Sequence, residues 1–352
     1  MGTQDPQAWL GQALSFGRSV GVPVDAAALA ALVYGAPAAG GSGQAACLAG
    51  VPLAVLQSAS PLVHDRLQVN APVTTGLTGR IRWAQAGQWL FGAIEAQGWD
   101  DHHPCPPEQL ADETEALYRE LLDFLPRCGM PHFLRLWNYL PHINREDGGL
   151  ERYRHFNVGR QRALLDAHSA AFEGAPAACA LGTLEGPLCV RFLASTRPAM
   201  AIENPRQVSA YHYPAEYGPV SPSFSRAALA EVGGGQLALL ISGTASVVGH
   251  ATLHAGDWLA QLEETVRNLH AVIDVARQRS TADFTLAESH CVIYVRDASL
   301  AAPVQAAFAQ MIGPRSVAAQ TALILHAEVC RSDLLLEIEA HAWAPGQLRN
   351  AP

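Results

Sequence analysis

The feature that most restricts what this chain can fold into is an order of elements that occurs twice. Each half reads as strands, helix, strand, helix, strand. In the first half, short apolar runs at 50–56, 66–71 and 81–94 suggest strands, the last broken near Gly87. Residues 107–125 follow a Pro-Pro pair and place Leu110, Leu117, Leu121 and Phe124 at helical spacing. A strand at 132–139, a helix at 150–171 and a strand at 186–194 complete that half. In the second half, 236–242 is a strand that 245–250 can pair with. Asp257 is an N-cap for a helix running to Arg279. Its apolar stripe is Leu259, Leu262, Val266, Leu269 and Ile273, and Glu263 and Arg267 form an i,i+4 pair. A strand at 290–296, a helix at 303–312 and strands at 321–329 and 334–342 follow. The pattern predicts an α+β protein of two similar domains, 1–200 and 201–352, joined by the link at 196–205, with a small-ligand site between them. Residues 1–45 show only weak periodicity.

Composition enters as a set of exclusions. The chain has 352 residues, 49% of them hydrophobic and 16% charged, enough for packed cores. Its net charge of -9 disfavours nucleic-acid and anionic-membrane partners, which need a basic face. No apolar run is long enough for a membrane span, and the polar start has no signal pattern. Seven unpaired-looking cysteines fit a reduced, cytoplasmic chain. All 23 Lys+Arg residues are arginines. Without lysine there is no Schiff-base chemistry and no Walker A loop. His102 and His103 lack ligand partners at regular spacing, so no metal is expected. Gly17 to Gly21 matches G-x-S-x-G, but lacks the strand-then-helix setting of a nucleophile elbow. Gly233 to Gly235 precedes a strand and reads as a turn.

Four segments carry chemistry. Residues 135–160 hold five arginines, and Arg152, Phe156, Asn157 and Arg160 recur at helical spacing after a strand ending in Asn138 and Tyr139. They read as a solvated face or as a binding face. In 204–226, Tyr211 and Tyr213 share one side of a predicted strand. Tyr217, prolines and Arg226 follow. This is either a structural loop or a rigid carboxylate site, since an arginine fork matches a carboxylate. In 241–254, Gly243 marks a bulged strand end or a place where backbone nears a ligand, with the amides of Ser242 and Thr244 as donors. In 330–339, Glu337 and Glu339 alternate with Leu336 and Ile338. Either could lie on a solvated strand face, which is the reading for Glu339; Glu337, if set near apolar walls, could instead be a proton donor.

At these segments the sequence resembles the chorismatases, which cleave chorismate and release pyruvate. The matching strings are RLWNYLPHINR, LERYRHFNVGR, PRQVSAYHYPAEYGPVSPSFSRA, ISGTASVVGH and VCRSDLLLEIEA. They span about residues 130–342. The second half also resembles the RidA (YjgF-like) fold. The resemblance implies two RidA-like mixed-sheet halves with helices on one face. It also implies a cofactor-free reaction on a small molecule, with a monomer or homotrimer both compatible. It implies that Arg160 and Arg226 bind carboxylates with help from Tyr211, Tyr213 and Tyr217. Arg152, Asn138 and Asn157 are further candidates. Glu337 matches the acid that protonates the enolpyruvyl methylene. Gly243 and Cys330 match the pair found in members that form 3-hydroxybenzoate, as opposed to a cyclohexadiene diol or much 4-hydroxybenzoate. A non-catalytic module binding a small carboxylate is the alternative of a different class.

Overall fold

A computed structural model describes residues 12–20, 28–35, 47–57, 63–97, 105–167 and 173–349. The chain begins with β1 (Leu14–Val20), β2 (Ala28–Tyr34), β3 (Cys47–Val51), β4 (Ala54–Gln57) and β5 (Val63–Val69). Next come β6 (Thr74–Thr78), β7 (Ile81–Ala86), β8 (Trp89–Glu95), α1 (Pro107–Arg127), β9 (His132–Pro141), α2 (Arg152–Asp166), β10 (Ala177–Thr183) and β11 (Cys189–Ser195). The last part holds β12 (Met200–Ile202), β13 (Ala227–Gly233), β14 (Gln236–Thr244), α3 (Trp258–Arg279) and β15 (His290–Val295). It ends with α4 (Ala301–Ile312), α5 (Val317–Thr321), β16 (Leu323–His326), β17 (Glu328–Val329) and β18 (Leu336–Pro345).

Two seven-stranded sheets form, ordered β6-β7-β8-β11-β9-β10-β17 and β12-β13-β14-β18-β15-β16-β4. The two orders correspond position for position. Each has one parallel pair joined through helix, β9 with β10 through α2 and β15 with β16 through α4 and α5. The duplication anticipated from the order of elements is therefore present in the topology. Each sheet takes its seventh strand from the other half: β4 pairs with β16, and β17 pairs with β10. A cut at residue 200 leaves both of those strands on the wrong side.

Alternation along the strands builds the layers. On β18, Leu336, Ile338, Ala340 and Ala342 pack toward α3 and α4. On β9, Leu136 and Leu140 pack toward α1 and α2. The opposite faces meet in a third core shared with the small sheet β1-β5-β2-β3. The order of layers is thus helix, sheet, sheet, helix. Arg18 on β1 grips Asp65 with Nε and Nη2 at 2.6 and 2.7 Å, and its Nη1 donates to the carbonyls of Cys291 and Thr321 at 2.7 and 2.8 Å. That buried arginine fastens the small sheet to the second large one.

Several sequence expectations need correction. The weakly periodic start contains β1 and β2, and β2 is buried at every position, so it has no alternation to read. The G-x-S-x-G match runs along β1, with Gly21 outside the described residues. His102 and His103, and residues 168–171 of the expected second helix, also lie outside them. Residues 245–250 do not pair with β14, because Val247–Val248 forms its own hairpin with Ala251–Thr252. Tyr211 and Tyr213 do not share a strand. Ala210–His212 and Ala215–Tyr217 are single 3₁₀ turns, with Pro214 standing directly before the second. Glu339 is fully buried, not solvated. Other expectations match in kind: Gly87 turns between β7 and β8 with φ 56°, and Asp257 accepts from the amides of Leu259 and Ala260 at 3.1 Å.

Candidate active site

A cleft of about 510 Å³ opens where the N-terminal end of α2, the proline-rich loop before β13, the end of β14 and the segment before β18 converge. That volume suits a small ligand. Glu337, Cys330, Gly243, Tyr213, Tyr217 and Arg226 all line it. Four segments far apart in sequence are thereby brought to one place.

Glu337 sits on the intersheet side of β18 and is 4% exposed. Its neighbour on β14 is a bulge: Ile241 pairs with Ala340 and Thr244 with Ile338, so Ser242 and Gly243 together oppose Glu339. The bulge carries Gly243 against the acid. A Cβ there would lie 1.8 Å from Glu337 Oε1, so only glycine leaves the carboxyl where it is. Burial pushes the Glu337 carboxyl up to about 8. The Glu339 carboxylate adds to the rise, and Arg135 and Arg226 oppose it. At neutral pH the group holds its proton. The half-buried Cys330 thiol is pushed up to about 12, by burial first and by Glu337 next, so it stays a neutral thiol.

Three arginines of the described residues line the cleft; Arg154 is paired with Glu151 at 3.6 Å, and the other two are Arg226 and Arg331. Arg226 donates to the carbonyl of Val208 at 2.8 Å and to the Tyr213 hydroxyl at 2.9 Å, with Phe224 and Tyr213 rings 5.1 and 5.6 Å from its guanidinium carbon. Arg331 donates to the His250 carbonyl at 2.8 Å and lies 4.1 Å over the Tyr217 ring. Among the described residues neither is salt-bridged to a carboxylate. Arg226 Nε and Arg331 Nη2 have no hydrogen-bond partner. Sequence reasoning missed Arg331, although it directly follows Cys330. It also missed Tyr153 and Phe224, which line the same cleft.

The other candidates stand behind the wall. Arg160 donates to the carbonyl of Ser223 and faces the Tyr118 ring at 5.5 Å, so it braces the loop that carries Phe224 and Arg226. Arg152 donates to the carbonyls of Pro141 and Cys105, both at 2.9 Å. Asn138 bonds the Tyr118 hydroxyl and the Cys179 carbonyl, and Asn157 is buried on α2 beside Tyr153. Tyr211 packs on His212. The Ser242 amide is committed to the Arg226 carbonyl at 2.9 Å, and its hydroxyl donates to the Ser225 carbonyl at 2.6 Å. Thr244 donates its hydroxyl to the Ser242 carbonyl at 2.9 Å. The pair of amides expected to hold an anion is therefore not free, because the Arg226 carbonyl takes one of them.

A neutral carboxyl acid facing a cleft with two carboxylate-free arginines, on paired α+β sheets, is an arrangement chemically able to take a small anionic molecule beside a proton donor. Residues 65–194 match the family described as chorismatase FkbO/Hyg5-like, N-terminal. A chorismatase of Streptomyces rapamycinicus is 34% identical over 277 residues, which cover 76% of this chain and 78% of that one. A 3-hydroxybenzoate synthase of Streptomyces hygroscopicus is 35% identical over 270 residues, 74% of this chain and 75% of that one. A chorismatase crystal structure superposes with a TM-score of 0.79 at 28% identity, covering 94% of this chain and 98% of that chain. The chain belongs to the chorismatase family. The matched region includes residues 65–130, which the sequence motifs left without an assignment.

Proposed function

We propose that this protein cleaves chorismate to 3-hydroxybenzoate and pyruvate. The observation that carries the reading is the protonated Glu337 facing a cleft with Arg226 and Arg331 on its walls. Chorismate carries a ring carboxylate and an enolpyruvyl carboxylate, and two arginine forks answer two carboxylates. Tyr213 and Tyr217 orient those forks through the contacts described above. Arg160 acts through the Ser223 carbonyl.

Glu337 gives its proton to the enolpyruvyl methylene, which becomes a methyl group, and the carbon beside it becomes oxocarbenium-like. The ring–oxygen bond then breaks, and its electron pair completes the ketone of pyruvate. The neighbouring ring hydroxyl closes on the vacated ring carbon and loses a proton, which restores Glu337. The epoxide-like ring opens with C–O cleavage and loses a ring proton as the alkoxide gains one. Chorismate thus divides into 3-hydroxybenzoate and pyruvate with no net water. Cys330, as a neutral thiol on the cleft wall, assists the aromatising step, and Gly243 leaves room for the acid. The seven free cysteines support a reducing, cytoplasmic setting.

The test is product analysis by chromatography after incubation with chorismate. Dominant 3-hydroxybenzoate with equimolar pyruvate supports the reading. Diol as the main product removes the role given to Gly243 and Cys330. No turnover above spontaneous breakdown favours a binding module instead.

A further inference from the structure

We propose that the buried Arg135–Glu339 pair is a positioning device that keeps the proton on Glu337 by committing the Arg135 guanidinium to Glu339. This deepens the proposed reaction and rests on it. Glu337 and Glu339 lie two residues apart on the same face of β18, and both are buried, at 4% and 0% exposure. Side chains so placed are about 7 Å apart at their roots, close enough in a dry interior that both do not ionise at small cost. Arg135 comes from β9 of the other large sheet, is 0% exposed, and bonds Glu339 directly. It bridges the two sheets and neutralises one carboxylate. The other carboxyl keeps its proton and faces the cleft.

The remaining groups around Glu337 leave this division in place. Tyr294 of β15, opposite Glu337 across the strand pair, is a neutral phenol raised by burial. Cys179 of β10 is a neutral thiol, raised by burial and by both glutamates, and Tyr139 of β9 is neutral for the same reason of burial. On β14 the neighbour is Gly243, which has no side chain. From the cleft side come Cys330 and Tyr153, both neutral, and Arg226, which favours the ionised form but is tied to Val208 and Tyr213. Arg331 borders the same cleft and lies over the Tyr217 ring. Glu339 is the one carboxylate that raises Glu337, and its effect exceeds that of Arg135.

The experiment measures the pH dependence of chorismate turnover in the wild-type chain and in Glu339→Gln and Glu339→Asp variants. It also follows the Glu337 carboxyl by infrared difference spectroscopy against Glu337→Gln, without substrate. Gln at 339 removes the like charge and keeps the shape. The alkaline limb should move down by one pH unit or more, so that at pH 8 turnover falls roughly tenfold relative to the variant's own acid plateau. Asp keeps the charge and should return the limb toward the wild-type position. A merely structural role lowers turnover at every pH and leaves the limb fixed, and that result overturns the proposal. If the Gln variant does not fold, the Arg135→Met/Glu339→Leu double variant leaves no charge unpaired and should also lower the limb. The two readings separate cleanly. A downward infrared shift with no chorismate turnover refutes the substrate and keeps the pair's role. Turnover with an unmoved limb refutes the pair alone.

Discussion

Replacing Glu337 by glutamine should make the protein more stable at high pH while removing its activity. The folded chain holds the Glu337 proton up to about pH 8, whereas an ordinary glutamate releases it near 4.5. Between those values the native state binds a proton that the unfolded state has lost. Stability therefore falls as pH rises through that window. Each unit costs about 1.4 kcal/mol, which gives roughly 3 kcal/mol at pH 7 and roughly 5 kcal/mol above pH 8. Glutamine has no proton to lose and does not carry this cost. Urea denaturation followed by tryptophan fluorescence at pH 5, 6.5 and 8 measures the difference between the two proteins, and other titrating groups cancel in it. The expected stability gain is small at pH 5 and grows steadily to pH 8. Chorismate turnover should fall at least 100-fold at every pH, the usual scale for loss of a general acid. A stability difference that does not change with pH would refute the assignment of a proton held by burial.

Cys330→Ala should shift product toward the diol, at least severalfold in the ratio seen by chromatography, and unchanged product would remove the thiol from the mechanism. Gly243→Ala places a Cβ 1.8 Å from the Glu337 carboxyl at an unstrained backbone position. It should displace the acid and change the ratio of 3-hydroxybenzoate to diol, with little change in thermal midpoint. Arg331→Met should raise KM for chorismate by about tenfold or more, the scale of one charged hydrogen bond, and an unchanged KM would leave Arg226 as the main anion contact. Gly159→Ala puts a Cβ 2.0 Å from the Ala111 carbonyl oxygen where α2 crosses α1, and should destabilise by about 1–3 kcal/mol in denaturation.

The parts of this structure that were legible from sequence are those in which one face of an element differs from the other. The α3 stripe, apart from the exposed Leu259, and the Leu336–Ile338 alternation told which way each element faces. Strand β2 was not legible because layers cover it on both sides and erase the alternation. The 3₁₀ turn at Ala210–His212 was misread as a strand, since Tyr211 and Tyr213 at a spacing of two satisfy a strand rule as well as a turn. Glu339 was misread because its partner, Arg135, lies 204 positions away. Arg160 and Arg152 carried the right chemistry for anions, but helix packing turned them onto backbone carbonyls. Arg331 was readable only as a charge next to Cys330. Its use depends on the Tyr217 ring beneath it, which comes from another segment.

The exchanged strands have a consequence for any attempt to divide the chain. Removing β4 with the first half leaves the outer side of β16 unpaired, and removing β17 with the second half does the same to β10. Unpaired strand sides are templates for pairing with other chains. Either half expressed alone would therefore expose an adhesive border that the intact protein closes, and would tend to aggregate. The strand that each half lends caps an edge of its partner's sheet, quite apart from anything it does for the cleft.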